Sequence, residues 1–220
     1  MRSQALVIAS ALFLGACASG PSIQTGPDAE MTHDGLVRVD NTAMQLVWVR
    51  PGADLSGYDK VMLPGVGIEF RPVTRSANEY DIPEDARERL RGIFRDAFQE
   101  SLGDSDRFQL VTERGPGTLL VYGGLTDVVS RNPGDPGGRD AVWIREIGEA
   151  TIVLEVRDSE TEAILARAAD RRIAENMSGN LSSTNRVTTQ TEVRRLANTW
   201  ASQLRRGLER LMDAGPLGGG

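Results

Sequence analysis

The sequence is poor in the residues that most often carry chemistry. Its 220 residues include one cysteine, one histidine and only 5% aromatic side chains. One cysteine cannot form an intramolecular disulfide, and with one histidine it cannot build a zinc site. We therefore predict no cofactor and no metal ion, and we assign no catalytic residue.

Positive charge is also scarce, because 31 acidic residues outweigh 25 basic ones and leave a net charge of −6. A negative protein repels the phosphate backbone, so we predict no nucleic-acid partner. After the N-terminal leader, no segment approaches the roughly 18 uninterrupted apolar residues of a membrane span. The composition, 40% hydrophobic and 25% charged, is typical of a globular chain with one domain or two small ones.

The N-terminus has the pattern of a secretory signal. Arg2 supplies an early positive charge, residues 5–14 are largely apolar, and small residues follow at 15–16. As a helix the apolar stretch would be about 15 Å long, half of the roughly 30 Å hydrocarbon core, and thus too short for a transmembrane anchor. We predict that residues 1–16 are a signal peptide.

The string LGAC at residues 14–17 resembles the lipobox of bacterial lipoproteins. That resemblance implies that Cys17 is acylated and becomes the mature N-terminus, so that membrane lipid is a partner of the protein. Two or three acyl chains hold a protein at a membrane lastingly, whereas one does not. Ser19 stands where an Asp resembles an inner-membrane retention signal, so we expect the outer membrane. The alternative is a cleaved soluble protein with an incidental cysteine.

Composition divides the rest of the chain into three parts. Residues 18–35 are rich in Gly, Pro, Ser, Thr and Asp without a hydrophobic period, which is typical of a linker. We predict a lipidated Cys17 with a flexible tether over 17–35, one domain over 36–214 and a disordered tail over 215–220. Such a tether would let the domain stand clear of the lipid headgroups.

Two segments show the three-and-four spacing of apolar residues that predicts an amphipathic helix. The first follows a capping-box pattern at 81–84 and ends at Gly103. The second follows another capping box at 189–192 and ends before Gly215 and Pro216. Trp200 lies near the centre of the second apolar stripe, so we predict that its side chain is buried in the core.

Seven short runs have the composition and alternation of β-strands: residues 45–50, 60–63, 66–71, 109–112, 118–129, 150–158 and 163–173. The last two form a predicted hairpin. Gly123 and Gly124 interrupt one run and indicate a bulge or a close backbone approach. We predict an α+β, two-layer domain, in which the two amphipathic helices pack on one face of an antiparallel or mixed sheet.

Acidic residues are the main candidates for chemistry. Glu149 and Glu155 would share one side of a strand, but six residues at about 3.3 Å place them roughly 20 Å apart. The carboxylate pairs of glycosidases need a separation of roughly 5–10 Å. Asp158, Glu160 and Glu162 alternate as in a calcium loop, yet they lack the central Gly and distal Glu of an EF-hand, so we interpret them as a solvated turn.

The basic residues and the histidine admit both a functional and a structural interpretation. Lys60 has no serine three residues before it, and His33 falls in the predicted tether, so we interpret both side chains as solvated. Five arginines of the last helix would meet phosphates, an acidic glycan or an acidic partner, or form a solvated face: Arg194, Arg195, Arg205, Arg206 and Arg210.

Four strings carry a further resemblance: ADLSGYDKVM at 53–62, GEA at 148–150, LEVRDS at 154–159 and WASQL at 200–204. Together they resemble a family of bacterial lipoproteins catalogued only as a domain of unknown function, over roughly residues 36–212. The chain departs from the expected pattern at Glu162, where the family's hairpin is expected to carry Gly. A glycine there indicates a positive φ, which Glu tolerates poorly.

The sequence leaves two functions open. The favoured one is a non-enzymatic accessory or interaction protein of the cell envelope, with a partner protein there. The alternative is an envelope hydrolase that uses carboxylates on a glycan or peptide. Two carboxyl groups in one cleft would favour the hydrolase, whereas an exposed strand edge or apolar surface would favour the binding protein.

Overall fold

The computed structural model describes residues 20–73, 79–131, 143–144, 146–175, 182–183 and 186–217. The predicted signal peptide and Cys17 lie outside these residues. No helix in the part of the chain that the structure describes is long and apolar enough to cross a membrane.

The described elements are two long helices and a set of mostly short strands. The helices are α1 (Glu84–Gly103) and α2 (Arg186–Asp213). The strands are β1 (Ser22–Ile23), β2 (Val37–Asp40), β3 (Leu46–Val49), β4 (Lys60–Met62), β5 (Val66–Phe70), β6 (Gln109–Val111), β7 (Thr118–Ser130), β8 (Trp143–Ile144), β9 (Glu146–Asp158), β10 (Ile164–Glu175) and β11 (Ser182–Ser183). Each of the seven predicted strands corresponds to one of these.

The β9–β10 hairpin lies at the centre of a nine-stranded sheet. On one side β10 pairs with β3, which leads to β2 and β1, and on the other β9 pairs with β7, which leads to β4 and β6. β5 pairs with the later part of β7. The β4–β6, β4–β7 and β5–β7 pairings are parallel and the others antiparallel, so the predicted α+β class with a mixed sheet is confirmed.

The core follows the predicted periods of the sequence. In β9, Ile152 and Leu154 are buried, whereas Val153 and Glu155 on the other face are half-buried. In α2 the predicted burial of Trp200 is confirmed, because its side chain is 0% exposed. Its ring lies 5.9 Å from that of Phe94 in α1, measured between centroids. A fully buried indole of this size contributes several kcal/mol to folding.

The irregular point of β7 is not where the glycines predict it. Gly123 and Gly124 keep regular pairing with β9, and the shift in register falls between Thr126 and Val129. Asp127 has a φ of 53°, a positive angle that marks the bulge. The predicted close backbone approach is not required there either, since a Cβ on Gly123 would lie 3.5 Å from Leu154 Cδ2 and one on Gly124 would lie 3.9 Å from the Gly67 carbonyl oxygen, both ordinary van der Waals distances.

Both predicted capping boxes are wrong. α1 starts after Pro83, which makes no side-chain capping bond, and α2 starts at Arg186, three residues before the predicted box at 189–192. The helix C-termini are closer to prediction. α1 includes Gly103 as its last residue, and Gly215 follows α2 with a φ of 67°, a left-handed angle that favours glycine.

The predicted flexible tether and tail differ from the structure. From residue 20 onward the segment packs on the domain: Ile23 pairs with Val39, and Asp34 forms an ion pair with Arg167 at 3.0 Å. At the other end Leu217 is 5% exposed, and its backbone exchanges hydrogen bonds with residues 52 and 53. Composition misses these contacts because a short strand in a polar segment has no hydrophobic period of its own.

Candidate functional site

A groove of about 640 Å³ lies between α2 and the β1–β2–β3–β10–β9 part of the sheet. We call it the apolar groove because most of the side chains that line it are aliphatic. They include Ile23, Val39, Val47, Ala168, Leu204 and Leu211. Pro21 and Leu217 also line it, so both ends of the described chain reach this site.

The apolar groove follows from the alternation of the strands and the small residues that face α2. Val47 and Ala168 are directly opposite in the β3–β10 pairing, and Ala168 is opposite Leu154 in the β10–β9 pairing, so their side chains share one face. On the helix side, a Cβ on Gly207 would have no heavy atom within 4 Å. An alanine and a helical glycine therefore leave space where larger side chains would fill the core.

Polar side chains of the apolar groove are few. Gln203 Nε2 donates a hydrogen bond to the Ala43 carbonyl at 3.2 Å, and Thr42 Oγ1 donates to the Met44 carbonyl at 2.7 Å. Arg210 lines the groove with an exposed side chain. None of the described residues that line it is acidic, aromatic, cysteine or histidine. The site therefore offers apolar surface, the hydroxyls of Thr25 and Thr42 and the positive charge of Arg167 and Arg210, and its described lining includes no carboxylate, thiol or imidazole.

A buried aspartate holds α2 and the β2–β3 loop beside the apolar groove. Asp170 on β10 is 2% exposed and accepts the Trp200 indole N–H at 2.7 Å and the Gln45 backbone N–H at 3.0 Å. Arg172 Nε also donates to Asp170, at 2.6 Å. The carboxylate thus has the partners that a buried charge needs.

The opposite face of the sheet carries a ladder of charged side chains. Arg167 on β10 donates to Glu155 on β9 at 2.7 Å and to Asp34 at 3.0 Å. Burial alone would raise the pKa of Glu155, but hydrogen bonds from Arg167 and Arg157 outweigh it and lower that pKa. Hydrogen bonds from Thr32 and Arg167 hold the pKa of Asp34 well below its usual range. These carboxylates are ionised partners of arginine.

Glu149 and Glu155 lie apart along β9, and the acidic side chain near Glu149 is instead Glu79. Glu149 Oε1 lies 3.0 Å from Arg171 and 3.4 Å from Arg71, and Arg71 also binds Glu79. Glu79 and Glu149 are both buried. Sequence reasoning missed this Glu79–Glu149 pair because 70 residues separate its members and no local pattern links them.

The acidic turn does not form a cation site. Asp158 Oδ1 accepts the backbone N–H groups of Glu160 and Thr161, and its Oδ2 accepts the Tyr58 hydroxyl at 2.8 Å. Glu162 points to Arg114. Within the described residues, no group of three or more His, Cys, Asp or Glu side chains is placed to hold a metal ion.

The remaining candidates lie at the surface. Lys60 Nζ is 3.1 Å from Asp59, and His33 is exposed beside Asp34. On the outer side of α2, Arg194, Arg195 and Arg206 line a shallow, open depression of about 530 Å³ with Asn198 and neighbouring polar residues. It is separate from the apolar groove, which lies on the sheet side of the same helix.

A family model described as "Protein of unknown function (DUF3313)" matches residues 32–204. The chain belongs to this family. The match confirms the predicted membership in a family catalogued only as a domain of unknown function, and it begins before Asp34, in the segment that packs on the sheet. No curated protein matches the chain.

Several solved structures are similar in fold to this DUF3313 chain. A PelC dodecamer from Paraburkholderia phytofirmans is 15% identical, with a TM-score of 0.34 over 72% of this chain and 96% of that one. A Xanthomonas campestris protein of family DUF330 is 11% identical, with a TM-score of 0.43 over 74% and 89%. A Helicobacter pylori homologue of neuraminyllactose-binding hemagglutinin is 12% identical, with a TM-score of 0.34 over 73% and 88%. At these similarities they carry no argument about function.

Proposed function

We propose that this DUF3313 protein is an outer-membrane lipoprotein that is anchored through acylated Cys17 and faces the periplasm. The apolar leader followed by the single cysteine of the sequence supports this. The first described residue is residue 20, so three Cα-to-Cα steps separate it from Cys17. They span at most about 10 Å, which would keep the domain close to the lipid headgroups.

Replacement of Cys17 by Ser tests the anchor. We expect the variant to leave the membrane fraction, or to accumulate as an uncleaved precursor, because serine offers no thiol for acylation. A Ser19→Asp variant is the matched control, and it should stay lipidated while moving to the inner membrane. Mature Cys17→Ser protein that stays in the membrane fraction in high salt would contradict the proposal.

We further propose that the protein acts by binding, as a non-enzymatic accessory or interaction protein of the envelope with a partner protein there. The apolar groove is the observation that carries this proposal. An apolar concavity on a folded surface costs free energy in water, which a bound ligand recovers. Among its described lining residues the groove also has no Asp or Glu, which a hydrolase that works through carboxylates would need.

The alternative is an envelope hydrolase, and the Glu79–Glu149 pair is the observation that favours it. Both carboxylates bind Arg71, so they lie closer together than any pair expected from the sequence. Arg131 and Arg171 also lie within 3.6 Å of Glu149. These ion pairs with several guanidinium groups occupy the carboxylate oxygens, which supports a structural role.

A turnover screen separates the two functions. Purified protein would be incubated with peptidoglycan, muropeptides and ester substrates, and crosslinking in intact envelopes would identify the protein partner. We expect a crosslinked partner and no turnover. Turnover that Glu79→Gln or Glu149→Gln abolishes, while Glu155→Gln leaves it intact, would establish the hydrolase instead.

We also propose that both amphipathic helices cover one face of the sheet. Phe94 of α1 and Trp200 of α2 are in ring contact and share a core cluster with Leu154 of β9. The Arg167–Glu155 ladder then belongs to the open face. Solvent accessibility of Arg167 to chemical labelling, against protection of Leu154 in the core, would test this arrangement.

A further inference from the structure

We infer that the apolar groove binds a fatty acid, with the acyl chain between α2 and the sheet and the carboxylate at Arg210. The inference deepens the proposed function and rests on it, because the anchor at Cys17 would bring the groove to the membrane. It assigns a ligand class to the groove and gives a role to Arg210, one of the five arginines of the last helix.

The size and lining of the groove suit an acyl chain. Its volume of about 640 Å³ lies within the roughly 300–1,000 Å³ typical of small-molecule sites. Val47, Ala168, Leu204 and Leu211 present aliphatic surface on both sides. Each methylene that moves from water into such surroundings gains hydrophobic free energy.

Peptides and glycans fit this site less well because they bring polar groups that need hydrogen-bond partners when buried. The side-chain donors of Thr42 and Gln203 are already used on the carbonyls of Met44 and Ala43. No aromatic side chain among the described lining residues is available for stacking on a sugar ring. An acyl chain needs neither hydrogen-bond partners nor an aromatic ring on which to stack.

Arg210 supplies the charge that a fatty-acid carboxylate requires. Its side chain is exposed, lines the groove and forms no ion pair with a described carboxylate, whereas Arg205 on the same helix pairs with Glu209. A guanidinium group binds a carboxylate through two parallel hydrogen bonds. The ligand would therefore lie with its apolar tail inside and its acidic head at the rim.

The position of the groove in the chain places it near lipid. Pro21 lines the groove and follows Cys17 by four residues, so the two are at most about 14 Å apart. A lipidated Cys17 would hold the mouth of the groove close to the membrane. Fatty acids released from membrane lipids would thus meet it at high local concentration.

Gly207 provides a way to close the groove without disturbing the fold. It lies inside α2, where glycine lowers helix stability, and a Cβ there meets open space. Gly207→Leu would therefore fill the groove from the helix. Gly92→Leu in α1 is the matched control, since its Cβ would meet one flexible side chain, Arg95, at 3.7 Å and no groove.

The assay would use residues 18–220, exported with a cleavable leader. This protein retains every described residue of the core, and it carries no attached lipid because it starts after Cys17. Binding would be followed by fluorescence of dansyl-undecanoic acid, with decanoate and decanol as competitors. We expect saturable binding of one probe per chain. Gly207→Leu should weaken it at least tenfold, and Gly92→Leu should leave it unchanged. If Gly207→Leu does not fold, Ala168→Leu fills the same space from the sheet.

A separate measurement tests the contact between Arg210 and the carboxylate of the ligand. Arg210→Gln should weaken competition by decanoate about three- to fivefold, as for an exposed ion pair, and should leave decanol unchanged. Arg206→Gln, on the outer side of α2, should change neither. Equal losses for decanoate and decanol would overturn the placement of the carboxylate at Arg210.

Two results would overturn the inference as a whole: no saturable binding to the parent chain, or equal binding to the parent and to the filled variants. Neither result bears on the fractionation of Cys17→Ser, which tests the anchor independently. The binding assay and the fractionation can therefore fail separately.

Discussion

Asp170 Oδ2 accepts the indole N–H of Trp200 at 2.7 Å, and both side chains are at most 2% exposed. The bond joins the middle of β10 to the middle of α2. It fixes the angle at which the helix lies on the sheet, and so the width of the apolar groove. A carboxylate acceptor buried in the core makes this a strong contact.

Removal of the negative charge from Asp170 should destabilise the fold. In Asp170→Asn the amide keeps the shape but loses part of its capacity to accept bonds from Trp200, Gln45 and Arg172. We expect a loss of about 1–3 kcal/mol in the free energy of unfolding, measured in urea. Asp96→Asn, an exposed aspartate, is the control and should change little.

Trp200→Ala should cost about 3–5 kcal/mol, because it leaves a cavity in the core and removes the partner of Asp170. The measurement is again the urea midpoint. Trp48, which is half-buried on the other face under Arg38, offers a comparison. Trp48→Ala should cost clearly less, and equal losses would contradict the central role of Trp200.

Gly148 occupies a position that no larger residue can share. A Cβ built there would overlap the carbonyl oxygen of Val129 on β7. Gly148→Ala must therefore shift the β7–β9 backbone, and we expect it to cost about 1–3 kcal/mol. Gly67→Ala on β5, whose Cβ meets nothing within 4 Å, should be neutral or slightly stabilising in the same urea titration.

Glu162 has a φ of 57°, so the positive angle expected for this turn is confirmed. A non-glycine residue there is strained, and Glu162→Gly should relieve the strain. The same change also removes the contact with Arg114. We therefore compare it with Glu162→Gln, which keeps the strain, and expect the glycine variant to be more stable than Gln by about 0.5–1 kcal/mol. Equal stability would mean that the turn is not strained.

Tyr58 should make the fold sensitive to alkali. Burial, and then the hydrogen bond to Asp158, raise the pKa of its phenol to about 12. Since the unfolded value is near 10, the folded state holds the proton more tightly. This stabilisation is complete below pH about 10 and is lost as the pH rises through about 12. Between pH about 10 and pH about 12, the urea midpoint of Tyr58→Phe should fall less than that of the parent protein. The urea midpoint of the control, Tyr80→Phe, should fall as much as that of the parent.

Local patterns were enough to predict most elements of this protein. Alternating side chains in β9 and the apolar stripe of α2 identify strands and helices because each period is a property of consecutive residues. The same reasoning predicted the burial of Trp200, whereas the positive angle at residue 162 was implied only by the family resemblance. Capping boxes failed because several polar positions near a helix start fit the pattern, and packing selects among them.

The packing of residues 20–35 could not be read from composition. Ile23 pairs with a residue of β2, and Asp34 accepts a hydrogen bond from Arg167, which is 133 residues away in the chain. A polar segment with few apolar residues resembles a linker until such partners are known. For the proposed anchor at Cys17 the correction has a consequence, because a shorter tether would hold the domain close to the membrane.

The sequence by itself determined both helices and seven of the described strands, and it predicts a leader that ends at the single cysteine, since these depend on neighbouring residues. Only the tertiary structure decided which distant side chains meet. Asp170 beneath Trp200, Glu79 beside Glu149, and the apolar groove between Gly207 and Ala168 all join residues from separate elements. Their contacts arise from the pairing of strands and the docking of α2, and no local period of the sequence encodes that geometry.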